Sequence, residues 1–557
     1  MPPESAYDRV EMRARSPSGP VSVHAIAGTY VVLLGIDLEP DSLPGLLGFA
    51  IRRTDHTDGE RHYLRNFRTF RVNEDAAGDR QASIVNPFQA FLWGDYGVQP
   101  EHVYTYDVTA MYGRPGKLAP GATAAAHVTA ESEEHDEHAI FFNRGAAGSQ
   151  AYAERFHNRA PGDVPYREAY KWLSRGLEEA LLRFIGQAHE PGLGLRAAVY
   201  EFQHERVLRA FRIAVDAGAD VKIVYDAVPR KADATAQRNL AAIRTAGLED
   251  HVIPRRRAQI AHNKFIVLLH GRRPEQVWTG STNVTEGGIF GHSNVGHIVR
   301  DRTVASGYLD YWSVLASDPT RASLGEYADA AVAIRGTRPR RRQTCVFSPR
   351  SGLDALDWYV RIAESAKSGL FLTAAFGLGR QIAPIFSRHR EYLRYLLLDN
   401  ERGLVETIRR DPGNMVVAGA RIRAGGWRDW IEERLSGLNG HVQYMHTKYM
   451  LVDPLGDDPI VITGSANWSD ASSKMNDENM IVIRGDSRVA DVYLGEFMRL
   501  FNHFEMRGRR PRSGDVPSNL RAPRGPKGRL YLHEDERWAE PYFEPDSSPQ
   551  KERLLFR

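Results

Sequence analysis

One order of parts occurs twice in this chain. AIFFNRG (139–145) is echoed by CVFSPRSG (345–352), and LGLRAAVYEF (193–202) by SGLFLTAAFGL (368–378). The amphipathic run YREAYKWLSRGLEEALLRFIGQA (166–188) reads as one helix and has its echo in LDALDWYVRIAESAK (353–367). ADVKIVYDA (219–227) is matched to NMVVAGARI (414–422), and VGHIVRD (295–301) to ENMIVIRGD (478–486). Each half closes on an aromatic-rich helix, VASGYLDYWSVLAS (304–317) or VADVYLGEFMRLFNHF (489–504). A unit of about 170–200 residues is too long for a solenoid repeat. Its alternation of helices with short buried strands predicts a mostly parallel sheet covered by helices, built once per half. Two similar lobes, 136–335 and 345–506, are therefore expected to face each other across a pseudo-two-fold axis, joined by the basic linker GTRPRRRQT (336–344).

The flanks read differently. Residues 1–20 are polar and Pro-rich, a disordered lead, and 21–135 alternate β-branched or aromatic runs with turn residues. That pattern predicts an all-β, Ig-like sandwich of about seven strands, in a packing or partner-binding role. Residues 507–530 hold eight Lys or Arg and one acid, whereas 531–557 hold seven acids and four bases. The expectation is an extended C-terminal strap (507–557), with Trp538, Tyr542 and Phe543 anchored on a lobe; a nucleic-acid arm is the alternative.

Composition excludes several classes. With 73 Lys and Arg against 70 Asp and Glu, the net charge of +3 carries no global polyanion-binding signature. The longest apolar run, Tyr30–Ile36, is strand-sized, and the first residues carry no hydrophobic signal segment, so a cytoplasmic location is expected. The single cysteine, Cys345, excludes an intrachain disulfide, a Cys-rich zinc site and an iron–sulfur cluster. ESEEHDEHA (131–139) reads as a solvated linker rather than a metal site, and Arg255–Arg257 as a solvated face or the lining of a substrate entrance.

The two halves share one polar pattern. His262-Asn-Lys264 is followed after 15 residues by Gly280-Ser281-Thr-Asn283, and His446-Thr-Lys448 after 15 residues by Gly464-Ser465-Ala-Asn467. A lone His-x-Lys arises by chance about 0.4 times in a chain of this composition, but two copies with the same downstream partner do not. His and Lys two apart on a strand project from one face. The runs that follow, FIVLL and YMLVD, read as central strands, which places each pair at a strand entrance. Gly-Ser turns let backbone N–H groups and the Ser and Asn side chains approach an anion closely. Two imidazoles, two ammoniums, two carboxamides and two hydroxyls suit a tetrahedral anion with a trigonal-bipyramidal transition state, and they require no metal or other cofactor.

On these residues the chain resembles the phospholipase D superfamily, whose signature is His-x-Lys-x4-Asp with a downstream Gly-Ser-x-Asn. The second half carries it as HTKYMLVD (446–453) and GSANWS (464–469), the first as HNKFIVLL (262–269) and GSTNVT (280–285). The resemblance spans 139–506. It implies an α/β fold, a duplicated phospholipase D-like α/β/α sandwich of two pseudo-symmetric lobes, here preceded by the all-β sandwich. It further implies a metal-independent double displacement. One histidine, His262 by analogy, attacks phosphorus; the other, His446, protonates the leaving oxygen. Lys264, Lys448, Asn283 and Asn467 would hold the nonbridging oxygens, with Ser281 and Ser465 supporting substrate binding.

Two departures stand out. The signature Asp is Leu269 in the first half, while the second keeps Asp453 in a structural role. The family's downstream acid, which orients a catalytic histidine, matches Glu478 in NDEN (476–479); in NVGH (294–297) the matching position is Gly296. Either Glu286 or a residue from the other lobe substitutes, or the first site is weakened, and the Glu478 neighbourhood supports either histidine as nucleophile. The leading substrate is a phosphodiester in a phospholipid headgroup, with peripheral membrane contact. The alternatives are a nuclease or nucleic-acid end-processing phosphodiesterase, a transferase to an alcohol acceptor, and a binding protein with a relic site.

Overall fold

The computed structural model describes residues 12–76, 81–145, 150–230, 234–332, 334, 336, 338–399, 405–419, 444–508 and 531–557. Among these, each half contains one seven-stranded sheet. The first runs in the order His138–Phe142, Val295–Val299, Arg273–Gly280, Lys264–His270, Leu193–Val199, Asp220–Asp226, Val252–Arg255. The second runs Arg342–Ser348, Glu478–Arg484, Ile460–Gly464, Tyr449–Val452, Gly369–Ala374, Leu393–Leu398, Asn414–Ala418. Position for position the two orders are the same, so the duplication seen in the text is a duplication of topology.

Three details of the expected correspondence change. The third strand of each half is Asp220–Asp226 and Leu393–Leu398, so Asn414–Ala418 matches Val252–Arg255 rather than ADVKIVYDA. LRYLLL escapes a reading by apolar runs because Arg394 interrupts it; Arg394 is fully buried against Asp411 at 2.9 Å. The sheets are also mixed rather than mostly parallel. Leu193–Val199 pairs in parallel with Asp220–Asp226 but antiparallel with Lys264–His270. Lys264–His270 in turn forms a hairpin with Arg273–Gly280, too short a connection for a parallel crossover. Finally, 166–188 is two helices, Glu168–Ser174 and Leu177–Gly186. The break falls at Arg175 (φ 46°) and Gly176 (φ 86°), where the Arg175 guanidinium turns inward to Phe142 O and the Glu496 carboxylate.

Strand alternation places the core. Phe265, Val267 and Leu269 face an inner core that also holds Tyr449 and Leu451 of the second sheet. Ile266 and Leu268 face an outer core under the first half's own helices, and Met450 and Val452 do so in the second half. Between the sheets lie the closing helices Arg302–Leu315 and Ser487–Gly508, whose Tyr308, Tyr311, Trp312, Tyr493, Phe497 and Phe501 fill the inner core. Each such side chain contributes about 1.5–3 kcal/mol of burial. The layers are helices, sheet, two helices, sheet, helices.

The N-terminal strands form two four-stranded antiparallel sheets that share one apolar core. Part of the presumed lead belongs here: Arg13–Arg15 pairs with Val21–Ala27, and Arg13 reaches the buried Asp491 at 2.7 Å. Likewise the presumed linker gives its last residues to Arg342–Ser348. In the strap, Trp538, Tyr542 and Phe543 stack around Phe91 of these N-terminal sheets instead of a lobe. The helix Ser548–Phe556 then seats Phe556 in the inner core, and its Glu552 accepts from the Tyr395 hydroxyl at 2.9 Å. Most of the basic tail, 509–530, lies outside the described residues. No helix among the described residues is long and apolar enough to cross a membrane.

Candidate active site

Each motif histidine leaves its own strand and is tied to the opposite half. The His262 N–H donates to Asp477 O at 3.0 Å, and the Asp477 N–H returns to Ile260 O at 2.9 Å. By the pseudo-symmetry, the His446 N–H donates to Ser293 O at 3.0 Å and the Ser293 N–H to Tyr444 O at 2.9 Å. Arg255 reinforces the first crossing. Fully buried, it donates to Asp477 at 2.8 Å and to Asp318 at 2.8 Å, so it neither faces solvent nor lines an entrance, whereas Arg256 and Arg257 are exposed.

The lysines stand two residues further along, Lys264 opening the strand Lys264–His270 and Lys448 directly preceding Tyr449–Val452. Lys264 Nζ donates to His262 O at 2.6 Å, and Lys448 Nζ to His446 O at 2.5 Å. The glycines of the two Gly-Ser turns are required by space. Gly280 (φ 133°) and Gly464 (φ 156°) would each put a Cβ within 2.2–2.3 Å of a carbonyl oxygen, that of Val295 and of Asn479. Ser281 and Ser465 are fully buried and hydrogen-bonded to residues that support the histidines. Ser281 Oγ donates to Asn294 Oδ1 at 2.7 Å, and Ser465 Oγ donates to Glu478 Oε2 at 2.6 Å.

Those bonds identify the true counterpart of Glu478. Thirteen residues separate Ser465 from Glu478, and thirteen separate Ser281 from Asn294. The strand registers agree, pairing Gly464 with Met480 and Gly280 with Gly296. Gly296 is thus the counterpart of Met480, packed so closely on Trp278 that a Cβ would lie 2.1 Å from the indole. Each supporting residue serves the histidine of the other half. Glu478 holds His262 Nδ1 at 2.8 and 2.9 Å, and Asn294 Oδ1 holds His446 Nδ1 at 3.1 Å. Glu286 instead accepts from Tyr170 at 3.3 Å.

Asn283 Nδ2 donates to the Glu201 carboxylate, while Asn283 Oδ1 and Asn467 Oδ1 are buried with no hydrogen-bond partner among the described residues. Tyr200 lies 5.0 Å from the His262 ring and 5.4 Å from Lys264 Nζ; Phe376, 58% exposed, lies 6.3 Å from the His446 ring. Asp453 holds neighbouring backbone. In a left-handed turn (φ 48°), its carboxylate accepts from the backbone N–H groups of Lys367, Ser368 and Gly369 at 2.7–3.0 Å. Its counterpart Leu269 is buried in the inner core.

Burial dominates the electrostatics. It lowers His262 to about 4, with Glu478 opposing and Lys264 assisting. It lowers Lys264 to about 8, opposed by Glu478, Glu201 and Asp226. His446 falls well below the ordinary histidine range through burial, then Lys448 and His292. Lys448 also falls well below its usual value, through burial and then Lys264. The two His-Lys pairs lie close enough to influence each other's charge, so the halves share one site in which Glu478 and Glu201 stand beside the two lysines.

Parts of this chain are similar to known proteins. A family model described as "Cardiolipin synthase, PLD-like domain" matches residues 181–313 and 381–501. The mitochondrial cardiolipin hydrolase of Xenopus tropicalis is 31% identical over 115 residues, 20% of this chain and 49% of that protein. The chain thus spans about half the length of the curated relative it matches. Among solved structures, phosphatidylserine synthase of Haemophilus influenzae is 12% identical, over 60% of this chain and 85% of that one, with a TM-score of 0.41. Nuc of Salmonella typhimurium is 18% identical, over 29% and 94%, with a TM-score of 0.22. The family model covers one segment in each half, and together with the paired motifs it supports the phospholipase D superfamily for this chain.

Sequence reasoning missed Asn294, His292, Glu201 and Tyr200. One signal was available: the equal thirteen-residue offset from the motif serines. Glu201 had none, because its bond to Asn283 spans 82 positions.

Proposed function

We propose that this chain hydrolyses a phosphodiester, in a phospholipid headgroup, by a metal-independent double displacement. The observation that carries this reading is the unequal support of the two histidines: a carboxylate behind His262, a carboxamide behind His446. A phosphorylated imidazole that keeps its Nδ1 proton is cationic, so a carboxylate partner favours the nucleophile. An imidazolium backed only by a neutral amide is the stronger acid, which favours His446 as proton donor.

His262 Nε2 attacks phosphorus, the P–O bond to the leaving alcohol breaks, and the His446 imidazolium gives that oxygen its proton. The bound phosphodiester's own charge offsets Lys264 and Lys448 and so lets His446 carry that proton. His446 then takes a proton from water as the water oxygen attacks phosphorus; the P–N bond breaks and a phosphate monoester leaves. The lysines, and the amide N–H groups of Asn283 and Asn467, bind the nonbridging oxygens.

The lipid assignment rests on the family description, on the name of the hydrolase relative and on exposed Phe376 beside His446. The test is turnover of phosphatidylcholine and cardiolipin vesicles against single- and double-stranded DNA, with EDTA present. Headgroup release at an undiminished rate is expected. Cleavage of DNA alone, falling steeply with salt, would replace the lipid with nucleic acid. Activity lost in EDTA and restored by Mg²⁺ or Zn²⁺ would overturn the mechanism.

A further inference from the structure

The site contains a third imidazole. His292 follows the short helical turn Gly287–Gly291, is 8% exposed, and its ring centre lies 5.0 Å from that of His446. Its two-fold mate is Asn476, so the position is occupied differently in the two halves. The backbone there is pinned: Asn143 Nδ2 donates to His292 O and to Ile289 O, each at 2.8 Å.

The hydrogen bonds fix which ring nitrogen carries the proton. Asn294 Nδ2 donates to Gly288 O at 2.7 Å, and a carbonyl can only accept, so the carboxamide has one orientation. Its Oδ1 accepts from Ser281 and from His446 Nδ1; its second Nδ2 hydrogen goes to His292 Nδ1 at 3.0 Å. His292 Nδ1 is therefore an acceptor, and the neutral ring bears its proton on Nε2. The other half reverses the polarity, for Asn476 Nδ2 donates to Glu478 Oε1 at 3.5 Å. A carboxylate at 294 could donate neither to Gly288 O nor to His292, so Asn294 and His292 form a matched pair, as Glu478 and Asn476 do.

We propose that His292 is a substrate-contacting residue, a neutral Nε2–H donor to a nonbridging oxygen of the phosphoryl group beside His446. This rests on the phosphodiesterase reading of the same site. Burial, with Lys448 adding to it, takes His292 down to about 3, so at neutral pH it adds a donor without adding like charge next to Lys448.

The test separates binding from turnover. Orthovanadate binding is measured by calorimetry for the wild-type chain, His292→Ala, His292→Gln and His292→Asn, alongside hydrolysis of bis(p-nitrophenyl) phosphate. Loss of a hydrogen bond to a charged oxygen is expected to weaken vanadate by about 10-fold or more in His292→Ala, with partial recovery in His292→Gln, which restores an N–H donor. Nitrogen-15 spectra of the wild-type ring should show Nε2 protonated and shifted when vanadate saturates the site. Vanadate affinity in His292→Ala within about two-fold of wild type, a proton on Nδ1, no vanadate binding by the wild-type chain, or no shift with no recovery in either polar variant would each overturn the proposal. Wild-type protein that binds vanadate but cleaves no phosphodiester would defeat the phosphodiesterase reading alone, and the binding series would still decide the role of His292.

Discussion

Glu478 rises from the second sheet, yet its carboxylate closes on His262 of the first, at 2.8 Å from Nδ1. Glu478→Gln leaves the shape but replaces the counter-charge for a cationic imidazole with a neutral amide. The expected outcome is a kcat about 10–100-fold lower, with the circular dichroism spectrum retained. Unchanged turnover would remove the argument for His262 as nucleophile.

His262→Ala and His446→Ala should each lower kcat by at least about 10³-fold on a substrate with an ordinary alkoxide leaving group, because the two act as a unit. With a nitrophenolate leaving group, which needs no proton, His446→Ala should regain part of its rate and His262→Ala none. Rescue of His262→Ala instead would exchange the two roles.

Gly296→Glu, which installs an acid at the position first matched to Glu478, should damage the protein. The new Cβ would meet Trp278 at 2.1 Å and Leu177 at 2.8 Å. A loss of about 3 kcal/mol in urea-unfolding free energy is expected, with no gain in activity. Asn294→Glu, at the true counterpart, removes the donors to Gly288 O and His292 Nδ1 and should also lower kcat.

The pH dependence follows from burial. In the free enzyme protonation of His262 should lower kcat/KM as pH falls through about 4, while loss of the proton that His446 must donate, and above about 8 of the Lys264 charge, should lower it as pH rises. Stability carries its own sign. Between pH 4 and the ordinary histidine value of 6.5, the unfolded chain binds a proton at His262 that the folded chain does not. The urea midpoint should therefore fall as pH drops through that window.

Arg255→Ala leaves Asp477 buried and unpaired behind the backbone that holds His262. A cost of about 3–5 kcal/mol is expected in chemical unfolding, the usual result of removing one partner of a buried ion pair. Arg256→Ala, on the exposed neighbour, should change stability by less than about 0.5 kcal/mol.

What was legible in the sequence was whatever repeats at fixed spacing along one strand. The His-x-Lys and Gly-Ser-x-Asn pairs, the period-two burial of 265–269 and the duplicated order of parts are all of that kind. Hidden were relations set by register between strands. Matching NVGH to NDEN by their shared first asparagine misplaced the acid's counterpart by two residues, whereas hydrogen bonds to Ser281 and Ser465 place it at Asn294. LRYLLL went unrecognised because a paired arginine can lie in a core, and the helix over 166–188 broke because Arg175 serves Glu496 far along the chain.

The crossing bonds have a consequence for how such a site can diversify. Two separate, identical halves would have to carry the same residue behind each histidine, so any change would alter nucleophile and acid together. Joining both copies in one polypeptide uncouples them. Asn294 with His292 and Glu478 with Asn476 are what that freedom permits: the same two positions filled differently in the two halves, with donor and acceptor exchanged between them.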